Sequence, residues 1–150
     1  MPLQLAVLRI NAADPIIRRY PNTKHWFLAG HSLGGSMAAR YAFDHPEKTQ
    51  GLILLASYSD RDFSDKEISL LSIEASRDGA ISKNRLEESR SLLPSEALII
   101  TMEGANHAGF GHYGPQKDDL EADLSREKQQ QKTASFIHSF LEQATLSEDD

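Results

Sequence analysis

Five residues, Gly30-His31-Ser32-Leu33-Gly34, restrict this chain more than any others. They follow a short apolar run, His25-Trp26-Phe27-Leu28-Ala29, that reads as a buried strand, and they precede Gly35-Ser36-Met37-Ala38-Ala39-Arg40-Tyr41-Ala42-Phe43, which reads as a helix. A strand that passes into a helix through Gly-x-Ser-x-Gly turns sharply and holds its serine in a strained backbone conformation. A side chain at either glycine is expected to collide with the neighbouring strand or helix, so both should be small. The turn lifts the Ser32 hydroxyl to the N-terminus of the following helix, where free N–H groups and the positive end of the helix dipole favour developing negative charge. The backbone N–H of Leu33 is the first candidate donor to such an oxyanion.

A bare Gly-x-Ser-x-Gly arises by chance in about one chain of this length in twenty, so its context has to carry the argument. The plain alternative is a glycine-rich turn that packs tightly or binds an anion. The formal net charge of −6 leaves no basic stripe to neutralise phosphates, which argues against nucleic acid. The absence of cysteine excludes disulfides, thiolate zinc sites and a cysteine nucleophile. No apolar run reaches membrane-spanning length, and the first residues lack the basic start of a signal peptide, so the expected location is the cytoplasm.

Taken in order, residues 3–8 are apolar but short, and could end a strand or begin a helix. Asp14 reads as an N-cap with Pro15 at the first helical position, giving a short helix over Ile16 to Tyr20 that Pro21 stops. After the Ser32 turn, the helix carries an apolar face of Met37, Ala38, Tyr41 and Ala42 and closes at His45-Pro46. Gly51 to Ser57 is a continuous apolar run that suits a parallel strand covered on both faces. A polar loop over Tyr58 to Lys66 precedes a strand over Ile68 to Glu74 and a turn over Ala75 to Gly79. Ser82 caps a helix over Lys83 to Leu93, with Leu86, Leu92 and Leu93 inward. Ala97 to Met102 is the fourth strand, followed by a glycine-rich loop from Glu103 to Pro115. A long helix from Ser125 has Phe136, Ile137, Phe140, Leu141 and Ala144 as its stripe. The expected architecture is α/β: a mostly parallel sheet of about four strands with helices on both faces. It forms a single domain over residues 1–146, with a frayed acidic tail over 147–150.

In parallel sheets, function gathers at the carboxyl ends of the strands. Serine needs a base to take its proton, and the base needs an acid to orient it. Ser32, Asp78 and His107 follow three different strands in the chain order serine, acid, histidine. Asp60, Asp62 and Asp65 are rival acids, although their clustering suggests a solvated loop, and Asp78 could simply form an Asp-Gly turn with Gly79. His112 is the rival base. His31 is expected to point away from Ser32 and to pack; His25, His45 and His138 read as surface or packing residues. No His-x-x-x-His pair suggests a metal.

These residues resemble the α/β-hydrolase superfamily, and in particular small bacterial α/β hydrolases of the carboxylesterase and dienelactone-hydrolase kind. The resemblance rests on Lys24-His25-Trp26, on Gly30 to Gly35 with Ala38 to Ala42, on Ser76-Arg77-Asp78-Gly79, and on Glu103 to Gln116. It implies a serine hydrolase acting on a small carboxylic ester or related acyl compound. Ser32 would be the nucleophile, Asp78 the acid and His107 the base, with no metal or organic cofactor. Dienelactone hydrolases proper carry a cysteine nucleophile, which this chain lacks. The family also places several strands before the elbow, and the loop after an early one supplies a second oxyanion N–H. Only 31 residues precede Ser32 here, so those strands and that donor are expected to be missing. The strand before Ser32 would then be an exposed sheet edge open to a second copy or a complementing chain. The alternative function is an inactive fragment, or one that works only with a partner chain.

Overall fold

The computed structural model describes residues 11–112 and 114–146. The readings for residues 3–8 and for the 147–150 tail lie outside the described residues. The elements run α1 (Asp14–Arg19), β1 (Phe27–His31), α2 (Leu33–Asp44), β2 (Gly51–Leu55), β3 (Ser69–Ala75), α3 (Lys83–Arg90), β4 (Leu98–Met102) and α4 (Arg126–Leu146), with a short 3-10 turn at Ala108–Phe110. Among the described residues the strands form one four-stranded sheet in the order β1-β2-β3-β4, and every neighbouring pair is parallel.

Sheet alternation assigns the core to two layers. Leu52, Leu54 and Leu70 face α2 and pack with Ala39, Ala42, Phe63 and Leu93. Ile53, Leu71 and Ile73 point to the other face and pack with Met102, Ala105 and Phe140, against which Phe136, Ile137 and Leu141 of α4 also rest. Helices therefore cover both faces of the sheet. Strand β2 carries an unbroken apolar run because both of its faces are covered, whereas the equally buried β3 includes Ser72 and Glu74. The outer strands are different: Ala29 in β1 and Leu98 and Ile99 in β4 are exposed.

The boundaries shift where tertiary contacts outweigh local signals. β1 runs on through Gly30 and His31 because both residues pair with Leu54 and Leu55 of β2. Helix α1 begins at Asp14 rather than being capped by it. The Asp14 carboxylate instead accepts hydrogen bonds from the Tyr41 hydroxyl (2.6 Å) and Lys48 Nζ (3.3 Å), and the Tyr41 bond is the main reason its pKa is lowered. Helix α3 ends at Arg90, and Leu92 and Leu93 leave it through tight turns, Leu93 entering the core.

Register brings the functional ends of the strands level. His31 pairs with Leu55, Leu55 with Ile73, and Ile73 with Ile100. Ser32, Ala56, the Ser76–Gly79 turn and the loop after Met102 therefore emerge along one edge of the sheet.

Candidate active site

The turn at Ser32 is built from the backbone. Ser32 has φ 53° and ψ −128°, in the left-handed region that non-glycine residues rarely occupy. Its backbone is held by hydrogen bonds from both sides, including a 3.3 Å bond from Ser36 N–H to its carbonyl. Its N–H donates to the Leu55 carbonyl (3.0 Å), its carbonyl accepts from Gly35 N–H (2.9 Å), and the buried Ser57 hydroxyl donates to the same carbonyl (2.7 Å). The Ser36 hydroxyl ties the first turn of α2 to the Tyr58 carbonyl at 2.8 Å. The crowding differs from expectation. A Cβ at Gly30 would fall into the backbone of Gly34 and Gly35, but a Cβ at Gly34 would meet no described atom within 4 Å. The second tight position is Gly35, whose Cβ would lie 2.5 Å from Ser57 Oγ and 2.7 Å from the Gly30 carbonyl oxygen. Gly30 lies against the backbone of residues 34 and 35, and the side-chain direction of residue 35, not that of 34, leads back onto the strand.

Asp78 and His107 are both 3% exposed, and Asp78 Oδ2 lies 2.7 Å from His107 Nδ1. Asp78 Oδ1 accepts from the N–H groups of Ala80 and Ile81, each at 2.9 Å, which fixes the plane of the carboxylate. With Nδ1 engaged, Nε2 is the ring nitrogen left for proton transfer. His107 and Ser32 line the same cleft of about 210 Å³, together with Leu33, Tyr58, Ala80 and Ile81. Leu33 begins α2, so its N–H has no acceptor within the helix.

The rival residues lie elsewhere. Asp60 is paired with Arg40, which is the main cause of its lowered pKa. Asp62 is bonded to Ser64, and Asp65 and His112 are exposed. His45 stacks on Tyr41, and His138 pairs with Glu142 on the surface of α4. His31 does pack, but it packs on the site itself. Its ring centroid is 4.6 Å from that of His107 and 5.7 Å from that of Phe110. Burial, and then the neighbouring His107, lower its pKa from 6.5 to about 4, so it is neutral near pH 7.

Neither Ser57 nor Asp119 was legible in the residues alone as part of this region. Ser57 reads as the last residue of an apolar strand, and Asp119 as one acid among several in a polar segment. Among the described residues, no three His, Asp or Glu side chains are grouped to hold a metal ion. Among the same residues, no helix is long and apolar enough to cross a membrane.

Comparison with known proteins agrees with this fold. A family described as "Alpha/beta hydrolase family" matches residues 1–131. A CIB-like hydrolase from Thermoplasma acidophilum superimposes with a TM-score of 0.57 at 19% identity, covering 87% of this chain and 60% of that one. A carboxylesterase structure from Nitrososphaera gargenis gives a TM-score of 0.66 at 12% identity, covering 95% of this chain and 73% of that one. A 1-acylglycerol-3-phosphate O-acyltransferase from Arabidopsis thaliana is 50% identical over 40 residues, which is 27% of this chain and 10% of the relative. The match thus spans about a tenth of that curated relative's length. The family match covers most of the sequence, the sheet order and helix layers accompany it, and the chain belongs to the alpha/beta hydrolase family.

Proposed function

We propose that this chain is a serine hydrolase that cleaves a small carboxylic ester or related acyl compound through an acyl-enzyme on Ser32. One observation carries the reading. A buried Asp78–His107 pair 2.7 Å apart opens onto a cleft shared with a serine held at φ 53°. In this reaction Ser32 Oγ attacks the acyl carbon while His107 Nε2 takes its proton. Asp78 keeps the proton on Nδ1 and stabilises the imidazolium. The Leu33 N–H donates to the tetrahedral oxyanion. The intermediate collapses, the C–O bond of the ester breaks, and His107 returns its proton to the leaving alkoxide. A water molecule then repeats the sequence on the acyl-serine, giving the carboxylic acid and free enzyme. A cleft of about 210 Å³ is smaller than a drug-sized pocket, which favours a short acyl or alcohol group. The likeness to an O-acyltransferase over 40 residues supports one variant, in which an alcohol replaces water in the second half.

The test is covalent labelling of the purified chain with a fluorophosphonate probe, read by intact mass beside Ser32→Ala. One adduct on the wild type and none on the variant is the expected result. A folded wild-type chain that takes up no probe overturns the reading and turns attention to a chain that needs a partner.

A further inference from the structure

We infer that Asp119 is a positioning residue for the acid–base pair: its carboxylate fastens the Asp78 loop to the His107 loop without itself facing the substrate. The inference rests on the function proposed above. The segment 116–125 crosses the ends of β3 and β4 as a strap. The N–H groups of Asp123 and Leu124 donate to the Gly104 carbonyl (2.8 and 3.1 Å), Asn106 Nδ2 donates to the Leu120 carbonyl (2.8 Å), and Arg77 Nε donates to Asp123 Oδ2 (2.6 Å). Asp119 sits at the middle of this strap. Its Oδ1 accepts from Gly79 N–H (3.4 Å), His107 N–H (3.1 Å) and its neighbour Leu120 (3.1 Å), and its Oδ2 accepts from Ala108 N–H (2.9 Å). The donors next to Asp78 and on either side of the His107 carbonyl thus converge on one carboxylate.

Two further features match this arrangement. Any Cβ at Gly79 would collide with the Asp118 carbonyl, so the Asp78-Gly79 pair leaves room for the strap. Asp118 itself takes φ 65°, a conformation that turns the following carboxylate into the two loops. Asp119 is absent from the residues lining the Ser32 cleft that the structure describes, so its influence passes through the backbone of the pair. Hydrogen bonds from N–H groups to a carboxylate are the strong, charge-assisted kind. Loose support for a catalytic pair costs rate out of proportion to the distance lost.

Asp119→Ala and Asp119→Asn separate this role from general structure. The asparagine keeps an acceptor at the Oδ1 position, with its three donors, and loses the Ala108 bond and the charge. The first readout is the second-order rate of fluorophosphonate labelling, with kcat and KM on p-nitrophenyl acetate. Asp119→Ala is expected to lower labelling and kcat by about 10- to 100-fold with KM moved less than about threefold. Asp119→Asn should recover most of that loss. The second readout does not need an active enzyme: the low-field proton of the His107–Asp78 hydrogen bond in the NMR spectrum. It should be present in the wild type and in Asp119→Asn, and broadened or lost in a folded Asp119→Ala. If Asp119→Ala unfolds, Asp119→Asn decides, through a labelling rate about 3- to 10-fold down with KM moved less than about threefold. Wild-type labelling by Asp119→Ala, or by Asp119→Asn where only that variant folds, overturns the inference while leaving Ser32 as nucleophile. A wild type that neither labels nor turns over ester removes the proposed function, and the NMR signal then decides the strap's role by itself.

Discussion

The two halves of the site are held in place by different means. Ser32 is placed locally, because a strand, a turn and a helix contiguous in sequence set its position. The bonds that hold it come from the backbone and from Ser57 on the next strand end. Asp78 and His107 are 29 residues apart, and a third segment, 116–125, binds both of their loops. Ser32 also stands at an outer strand of the sheet formed by the described residues, whereas Asp78 and His107 follow strands that are paired with each other. The difference teaches that a short motif needs only the adjoining strand end to position a nucleophile. A proton relay needs long-range structure to bring two loops within hydrogen-bond distance.

The largest expected effect tests the local half. Ser32→Ala should lower ester turnover by at least about 10⁴-fold, with an unchanged melting temperature, because one hydroxyl is lost and no packing. Retained turnover would place the chemistry elsewhere. The relay half should respond slightly less. Asp78→Asn leaves the loop in place but disturbs the tautomer of His107, and a loss of about 10³- to 10⁴-fold in kcat is expected. A pH–rate profile should show that the loss persists when the pH is raised.

Stability then distinguishes backbone crowding from motif. Gly30→Ala should destabilise by about 3 kcal/mol or more in a denaturant titration, since its Cβ has nowhere to go. Gly34→Ala should cost less than about 1 kcal/mol, although the motif treats the two glycines alike. Equal losses would break the comparison. Ser57→Ala removes a buried hydroxyl's bond to the Ser32 carbonyl, and a loss of about 1 kcal/mol is expected. A fall in labelling rate beyond that stability loss would show that Ser57 also sets the elbow's geometry.

The smallest effect is one of pH. The folded His31 has a pKa of about 4 against 6.5 for the unfolded residue, so between these values the unfolded chain binds more protons. Its contribution is complete above pH 6.5 and drains away as the pH falls towards 4. Melting temperatures of the wild type should therefore fall more steeply over this window than those of His31→Gln. Parallel curves would mean that His31 titrates normally against the His107 ring.

Several features were legible in the residues themselves. The apolar run over Gly51 to Ser57 revealed a central parallel strand, because a strand covered on both faces has no polar side to show, and Ile68 to Glu74 read as the strand that follows it. The stripe on α4 gave its buried face for the corresponding reason. Gly30 to Gly34 marked the strained serine, since a tight strand-to-helix turn leaves little choice of residue. The order of Ser32, Asp78 and His107 was visible, and so were the rivals that the fold has since placed elsewhere.

The sequence by itself therefore determined the sheet, its layers and the local conformation of Ser32, all of which follow from side-chain periodicity and from sterics between near neighbours. Only the tertiary structure decided that Asp78, rather than Asp60 or Asp62, meets His107. Only it decided that His31 packs against that same ring, that Gly35 rather than Gly34 is the second crowded glycine, and that Asp119 binds both loops. Each of these is a contact between segments far apart in the chain. A carboxylate that will accept buried N–H groups is written with the same letter as one that faces water.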